Sequence, residues 1–213
     1  MPETRRLPVY LVLDTSGSMS GTAIDAVREG VKMIVTQLRK DPQALETVHI
    51  GVITFDSDAR QVVPLTDLMS FKEPHIEANG STSLGSALRT LCTSVDAEVK
   101  KGSASQKGDW KPMVFLMTDG EPTDQWESAI ADIKKRSWGA FVACGSGPGA
   151  KTEPLKKITE TVLLLHDTHD LNQFFKWVTS SIKTASASMK MIPADPNAMT
   201  QLPPTPQAIT VIP

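Results

Sequence analysis

The sequence predicts an α/β fold: a doubly wound, mostly parallel sheet with helices on both faces and one antiparallel edge strand. Three observations predict it. Short apolar runs alternate along the chain with longer stretches whose apolar residues recur every three or four positions, the rhythm of strands joined by crossover helices. Two of the runs, residues 9–13 (VYLVL) and 113–117 (MVFLM), are apolar throughout, as a strand covered on both faces must be. A third run, residues 60–65 (RQVVPL), follows its predecessor after a short turn and carries Pro64, which confines it to a sheet edge.

The elements follow in order. Residues 9–13 form the first strand. After a Ser/Gly-rich segment, Ile24, Val27, Val31, Ile34 and Leu38 mark one face of a helix that ends near Asp41-Pro42. Residues 49–55 (HIGVITF) form the second strand, and Asp56-Ser57-Asp58 turns the chain into 60–65. Leu84, Leu88, Leu91 and Val95 mark the next helix, and residues 101–111 (KGSASQKGDWK) a polar loop before the strand at 113–117. A helix over 127–136, a strand at 140–144, a short helix at 154–159 and a strand at 162–165 follow. The last helix starts near Asp170, read as its N-cap, with Leu171, Phe174, Val178 and Ile182 as its apolar stripe. The composition then changes: MIPADPNAMTQLPPTPQAITVIP is proline-rich and short of charge. The organisation read is a domain over 1–187 and a tail over 188–213. Within the tail, residues 207–212 (QAITVI) carry β-branched residues suited to adding a strand to an exposed edge, of this domain or of a neighbouring copy.

Composition narrows the function. A chain of 213 residues with 40% hydrophobic residues is long enough for one domain with a sizeable core. A formal net charge of -2 argues against a nucleic-acid or anionic-membrane partner, which a basic balance would favour. Cys92 and Cys144 are too few for a disulfide framework, so a reducing cytoplasm is the expected location. Arg5 and Arg6 precede an apolar run, but Pro8 and Asp14 bound it too tightly for a signal peptide.

The first strand ends in DTSGSMSG, residues 14–21. In an open parallel sheet, ligand sites form beyond the carboxyl ends of the strands. Asp14 stands at that end of the first strand and Asp119 at that end of the run 113–117, so the two carboxylates face one crevice if the strands are neighbours. Ser16 and Ser18 lie on the loop between strand and helix, where alternate side chains point the same way. Thr82, just before the helix at Leu84, reaches the same place. Two carboxylates and three hydroxyls are hard oxygen donors suited to Mg2+ or Mn2+. The bland alternative is that Ser16 and Ser18 cap a helix and Asp14 closes a turn.

These residues resemble the DxSxS signature of von Willebrand factor type A (VWA) domains, with Asp14, Ser16 and Ser18 in its positions. Thr82 in GSTSLGSAL is similar to the family's GGT segment, with Ser81 where a second glycine is common, and Asp119 in MTDGEPTD to its TDG segment. The resemblance spans roughly residues 8–187 and implies the Rossmann-like VWA fold and a metal-ion-dependent adhesion site (MIDAS) formed by Asp14, Ser16, Ser18, Thr82 and Asp119. It further implies a non-enzymatic docking module whose metal is completed by an Asp or Glu of a partner protein. Within the family the chain is most similar to the compact bacterial TerY-like proteins of tellurium-resistance and stress operons. That similarity implies a Ser/Thr kinase-like protein and a metal-dependent protein phosphatase as partners. Two alternatives are a Mg/Mn-dependent phosphoester hydrolase and a substrate phosphorylated at the Ser/Thr-rich rim of the site.

Other motifs carry less. His166-Asp167-Thr168-His169-Asp170 reads as a strand-to-helix loop with a cap, since no cysteine or third histidine is near it in sequence. Gly145-Ser146-Gly147-Pro148-Gly149 lacks the Lys-Ser/Thr ending of a phosphate loop. The Ser/Gly segment does not fit G-x-S-x-G and implies no base for a nucleophilic serine. Trp110, Trp126, Trp138 and Trp177 read as packing or rim residues, and Cys92 as a small core residue. Thr118 and Glu121 flank Asp119 and read as supporting or rim groups.

Overall fold

The computed structural model describes residues 5–103, 107–147, 149–188 and 202–212. Among the described residues seven strands form one sheet: β1 (Leu7–Asp14), β2 (Val48–Phe55), β3 (Ala59–Asp67), β4 (Met113–Thr118), β5 (Ala140–Ser146), β6 (Thr161–Leu165) and β7 (Thr210–Ile212). Their order is β3-β2-β1-β4-β5-β6-β7. The five central strands run parallel, while β3 and β7 pair antiparallel at the two edges. The helices are α1 (Thr22–Leu38), α2 (Pro42–Thr47), α3 (Leu84–Glu98), α4 (Glu127–Lys134), α5 (Glu153–Ile158) and α6 (Thr168–Ser188).

The pleat of β1 shows why its whole run is apolar. Val9, Leu11 and Leu13 enter the core under α1, α2 and α6, whereas Tyr10 and Val12 enter the core under α3, α4 and α5. Successive side chains point to opposite faces, and both faces are covered, so no position is left for a polar residue until Asp14. On the first face α1 and α6 touch at Gly30, where an added Cβ would run into the Phe175 ring. Pro64 lies on the edge strand β3, in the register break between Val63 and Thr66.

Two local readings need correction. Asp41-Pro42 does not merely stop α1; it starts α2. The Asp41 carboxylate accepts the Gln43 and Ala44 N–H groups at 3.0 Å each, and Pro42, with no N–H to orphan, occupies the first turn. The last helix begins two residues before Asp170. Asp167 takes the cap role, accepting the Asp170 N–H at 2.9 Å, and the Asp170 carboxylate reaches back to the His166 N–H at 3.0 Å. The segment anticipated as edge-adding, 207–212, supplies β7 on β6 of its own chain. The anticipated tail start at 188 coincides with the last residue of α6, and residues 189–201 lie outside the described residues. No helix among the described residues is long and apolar enough to cross a membrane.

Candidate functional site

β1 and β4 are direct neighbours, with Val9 to Leu13 in register against Met113 to Met117. Asp14 ends β1 and Asp119 follows the end of β4, so the two carboxylates emerge side by side at one edge of the sheet. The loop after β1 is fixed by backbone bonds. The Thr15 N–H donates to the Phe55 carbonyl at 2.8 Å, the Asn79 N–H to the Thr15 carbonyl at 2.8 Å and the Gly17 N–H to the Gly80 carbonyl at 3.0 Å. A tight turn at Gly17–Met19 then leads into α1. These bonds hold three loops, after β1, after β2 and before α3, against one another. Gly80 has φ 69°, and the Ser57 hydroxyl presses where its Cβ would be, so glycine is needed there.

Within this frame four of the five anticipated residues form one hydrogen-bonded chain. Asp14 Oδ1 accepts the Ser16 N–H at 2.8 Å. The Ser16 and Ser18 hydroxyls are 3.0 Å apart, and the Ser18 hydroxyl donates to Asp119 Oδ1 at 2.8 Å. The fifth, Thr82, packs against the Asp119-Gly120 turn: a Cβ on Gly120 would come within 2.9 Å of Thr82 Oγ1. The Thr82 and Thr123 segments also exchange bonds, Thr123 N–H to the Thr82 carbonyl at 2.9 Å and Thr82 N–H to Thr123 Oγ1 at 3.2 Å.

The electrostatics are unfavourable as they stand. Asp14 is fully buried, and burial pushes its carboxyl up to about 6; the bonds from Ser16 and Thr118 act against that, and the charge of Asp119 adds to it. Burial also raises the Asp119 carboxyl, with the Ser18 bond opposing. Among the described residues no Lys or Arg forms an ion pair with either carboxylate. Desolvated like charges without a counter-charge favour protonation or a bound cation. Among the described residues no group of three or more His, Cys, Asp or Glu converges. The cluster instead brings two carboxylates together with three hydroxyls, those of Ser16, Ser18 and Thr82.

Two residues support the cluster, Thr118, read from the sequence as a supporting or rim group, and Asp124, which the sequence did not mark. The Thr118 hydroxyl donates to Asp14 Oδ2 and so holds the buried carboxylate in place. Asp124 caps α3 from 39 residues away, accepting the Gly85 N–H at 2.8 Å, with the Ser86 N–H on its other oxygen at 2.9 Å. It was legible only as the last acid of TDGEPTD. The other motifs take the roles read for them. Asp167 and Asp170 cap α6, Cys92 and Cys144 are buried free thiols, and Trp177 packs in the core against Phe115 and Phe174. Trp110 and Trp138 pack against Arg5 and Phe141. Gly147 (φ 92°) turns the chain after β5, with its N–H on the Leu165 carbonyl at 2.8 Å; Pro148 lies outside the described residues.

Comparison with known proteins agrees with this fold. The family model described as von Willebrand factor type A domain matches residues 9–177. A curated relative, an uncharacterized protein of Synechocystis, is 32% identical over 126 residues, 55% of this chain and 26% of its own. Among solved structures, the von Willebrand factor type A protein from Catenulispora acidiphila aligns with TM-score 0.65 at 22% identity, over 85% of this chain and 43% of its own. The pilus adhesin SpaC from Lactobacillus rhamnosus GG aligns with TM-score 0.68 at 18% identity, over 86% and 31%. Proximal thread matrix protein 1 of the mussel byssus, described with a zinc-occupied MIDAS motif, aligns with TM-score 0.60 at 20% identity, over 84% and 48%. The chain thus spans about a quarter of the curated relative and less than half of each of these structures, whose likeness is one of fold.

Proposed function

The chain belongs to the von Willebrand factor type A domain family, and from that premise we propose that it is a metal-dependent protein-docking module. The carrying observation is the pair of desolvated carboxylates, Asp14 and Asp119, linked through the Ser16 and Ser18 hydroxyls and without a basic partner among the described residues. In this reading Asp14, Ser16, Ser18, Thr82 and Asp119 form a MIDAS holding Mg2+ or Mn2+. The oxygen-only donor set favours these ions, and the zinc of the mussel structure makes zinc the comparison to run. When bound, the ion supplies an electrophilic position for an Asp or Glu of a partner protein.

The protein's own residues set that selectivity. Two carboxylates balance a divalent charge without exceeding it, and the neutral hydroxyls hold position without adding charge, which leaves an incoming carboxylate attracted. Thr118 and the backbone bonds of Thr15, Gly17 and Asn79 keep Asp14 and the serines oriented before the partner arrives. We assign no catalysis. The serine hydroxyls lie in a chain of hydrogen bonds between carboxylates, and no imidazole or amine belongs to that chain to act as a base. The TerY-like resemblance extends the proposal to a bacterial tellurium-resistance or stress system, in the cytoplasm, with a kinase-like protein and a metal-dependent phosphatase as partners.

Calorimetric titration tests the site. One Mg2+ or Mn2+ per chain, abolished in Asp14→Ala and in Asp119→Ala with the circular dichroism unchanged, is the expected result. Binding that survives both substitutions, or binding of zinc alone, contradicts the assignment. A phosphatase assay with Mn2+ on a chromogenic phosphoester should show no turnover.

A further inference from the structure

The end of the sheet opposite Asp14 and Asp119 carries two neighbouring cavities. One, of about 580 Å3, opens between the C-terminal ends of α4 and α5 over the starts of β5 and β6. The other, of about 590 Å3, opens between the C-terminal ends of α3 and α4 beside residues 109–112. Arg136 lines both. Its guanidinium donates to the Asp96 carboxylate and to the Asp132 carbonyl, so it stands as a fixed partition between them. Each cavity has an apolar wall, Trp138, Phe141 and Ile158 in the first, Val95, Val99 and Trp110 in the second. The Trp138 N–H is satisfied by the Ile133 carbonyl at 3.0 Å, and its ring meets Phe141 edge-on.

The surroundings of these cavities are cationic, although the chain is slightly acidic. Among the described residues, four Lys or Arg and one acid line the first cavity, and five and three line the second, with Arg136 common to both. The whole chain holds 22 Lys and Arg against 24 Asp and Glu. Helix macrodipoles account for Lys134, Lys156 and Lys157, which sit in last turns. They do not account for Lys101 and Lys111, which lie between α3 and β4. Lys156 pairs with Glu153 at 3.4 Å and Lys135 with Asp132 at 3.1 Å. Lys101 and Lys134 are exposed, and among the described residues neither forms an ion pair. One such lysine lines each cavity.

We propose that the two cavities form one groove that docks an acidic segment of a partner protein, with a bulky apolar side chain in each cavity and carboxylates against Lys101 and Lys134. Three features favour an acidic polypeptide over a phosphate polyanion or an anionic membrane. The concave apolar walls are filled by side chains, whereas a sugar-phosphate backbone or a flat membrane leaves them empty. The cations are lysines apart from Arg136, whose planar fork is already engaged by Asp96 and so is not offered to phosphate. Asp96, Asp109, Asp132 and Glu160 interrupt the cations, which carboxylates spaced along a peptide can avoid and a continuous run of phosphates cannot. The six residues of β4 separate this groove from the Asp14 end by roughly 20 Å. The groove is thus a second docking surface, independent of the metal reading.

Fluorescence anisotropy of the full chain tests it, with a short labelled peptide of alternating Glu and Phe as the probe. Working in chelator removes any carboxylate acceptor at the Asp14 end. Saturable binding is expected, weakened when Gln replaces every Glu or Ser replaces every Phe. Lys101→Glu and Lys134→Glu should each weaken it by about tenfold, with circular dichroism unchanged, since neither side chain holds an ion pair in the fold. Absence of saturable binding in chelator, equal binding of the Gln or Ser peptide, or indifference to both charge reversals overturns the proposal. Tighter binding of a single-stranded oligonucleotide or of anionic vesicles than of the peptide also overturns it.

Discussion

Asp14→Asn should make the metal-free domain more stable. The Asp14 carboxyl is fully buried and stands at about 6 against an ordinary value of 3.8. At neutral pH the folded chain therefore holds an ionised group that the unfolded chain ionises more readily. With 1.36 kcal/mol per pKa unit, the ionised carboxylate costs the fold about 3 kcal/mol. Asparagine keeps the acceptor for the Ser16 N–H and removes the charge, while its amide must re-pair with the Thr118 hydroxyl, which rotates to accept. A net gain of about 1–3 kcal/mol results. The sign follows from linkage: the folded state binds the extra proton between about pH 4 and 6, so the wild-type penalty is absent below that window and complete above it. Urea unfolding of wild type and Asp14→Asn in chelator should therefore give curves that coincide near pH 4 and separate through pH 6. Added Mg2+ should stabilise only the wild type at pH 7. An Asp14→Asn protein that is less stable than wild type in chelator at pH 7, or a difference independent of pH, would refute the reasoning.

Three further outcomes follow from other contacts. Asp124→Ala removes the acceptor of two α3 N–H groups and should lower unfolding free energy by about 0.5–2 kcal/mol; because Thr82 is hydrogen-bonded to the same loop at Thr123, calorimetry should also show weaker metal binding. Gly30→Val drives a side chain into the Phe175 ring and should cost about 1–3 kcal/mol in chemical denaturation, with metal affinity unchanged. Glu98→Ala strips the acceptor shared by the Tyr10 hydroxyl, Gln61 and the Leu65 N–H; leaving the buried Tyr10 hydroxyl unsatisfied should cost about 1–3 kcal/mol in the same assay.

What the sequence disclosed and what it hid divide along local and non-local lines. β1 and β4 were legible because burial on both faces leaves no polar position in either apolar run, and the site carboxylates follow where the runs end, Asp14 directly and Asp119 after Thr118. The site residues were legible because strand ends and helix starts mark themselves locally. Their convergence depended on β1 and β4 being neighbours, which follows from the crossover order and not from any residue. Asp124 was hidden for the same reason: a cap supplied from 39 residues away leaves no pattern near the helix it caps. At Asp41-Pro42 the signal was present but two-sided, since the pair that ends one helix also begins another. At Asp167 and Asp170 two acids three apart are both competent caps, and the choice between them rests on which N–H each reaches. The β-branched segment at 207–212 announced a strand, while its place on β6 follows from the exposed edge that the parallel core leaves.

The central claim is that the Asp14 cluster docks a partner through a bound ion. Its most direct measurement is the affinity of the immobilised full chain for its captured partner in Mg2+, in chelator, and with Asp14→Ala. The account predicts that chelator and Asp14→Ala each weaken capture by about 2–5 kcal/mol, as does truncating a single partner Asp or Glu. Added salt should weaken it far less than chelator does, because a desolvated ion contact is poorly screened. Capture that is indifferent to chelator and to Asp14→Ala would contradict the account and reduce the cluster to a structural clip.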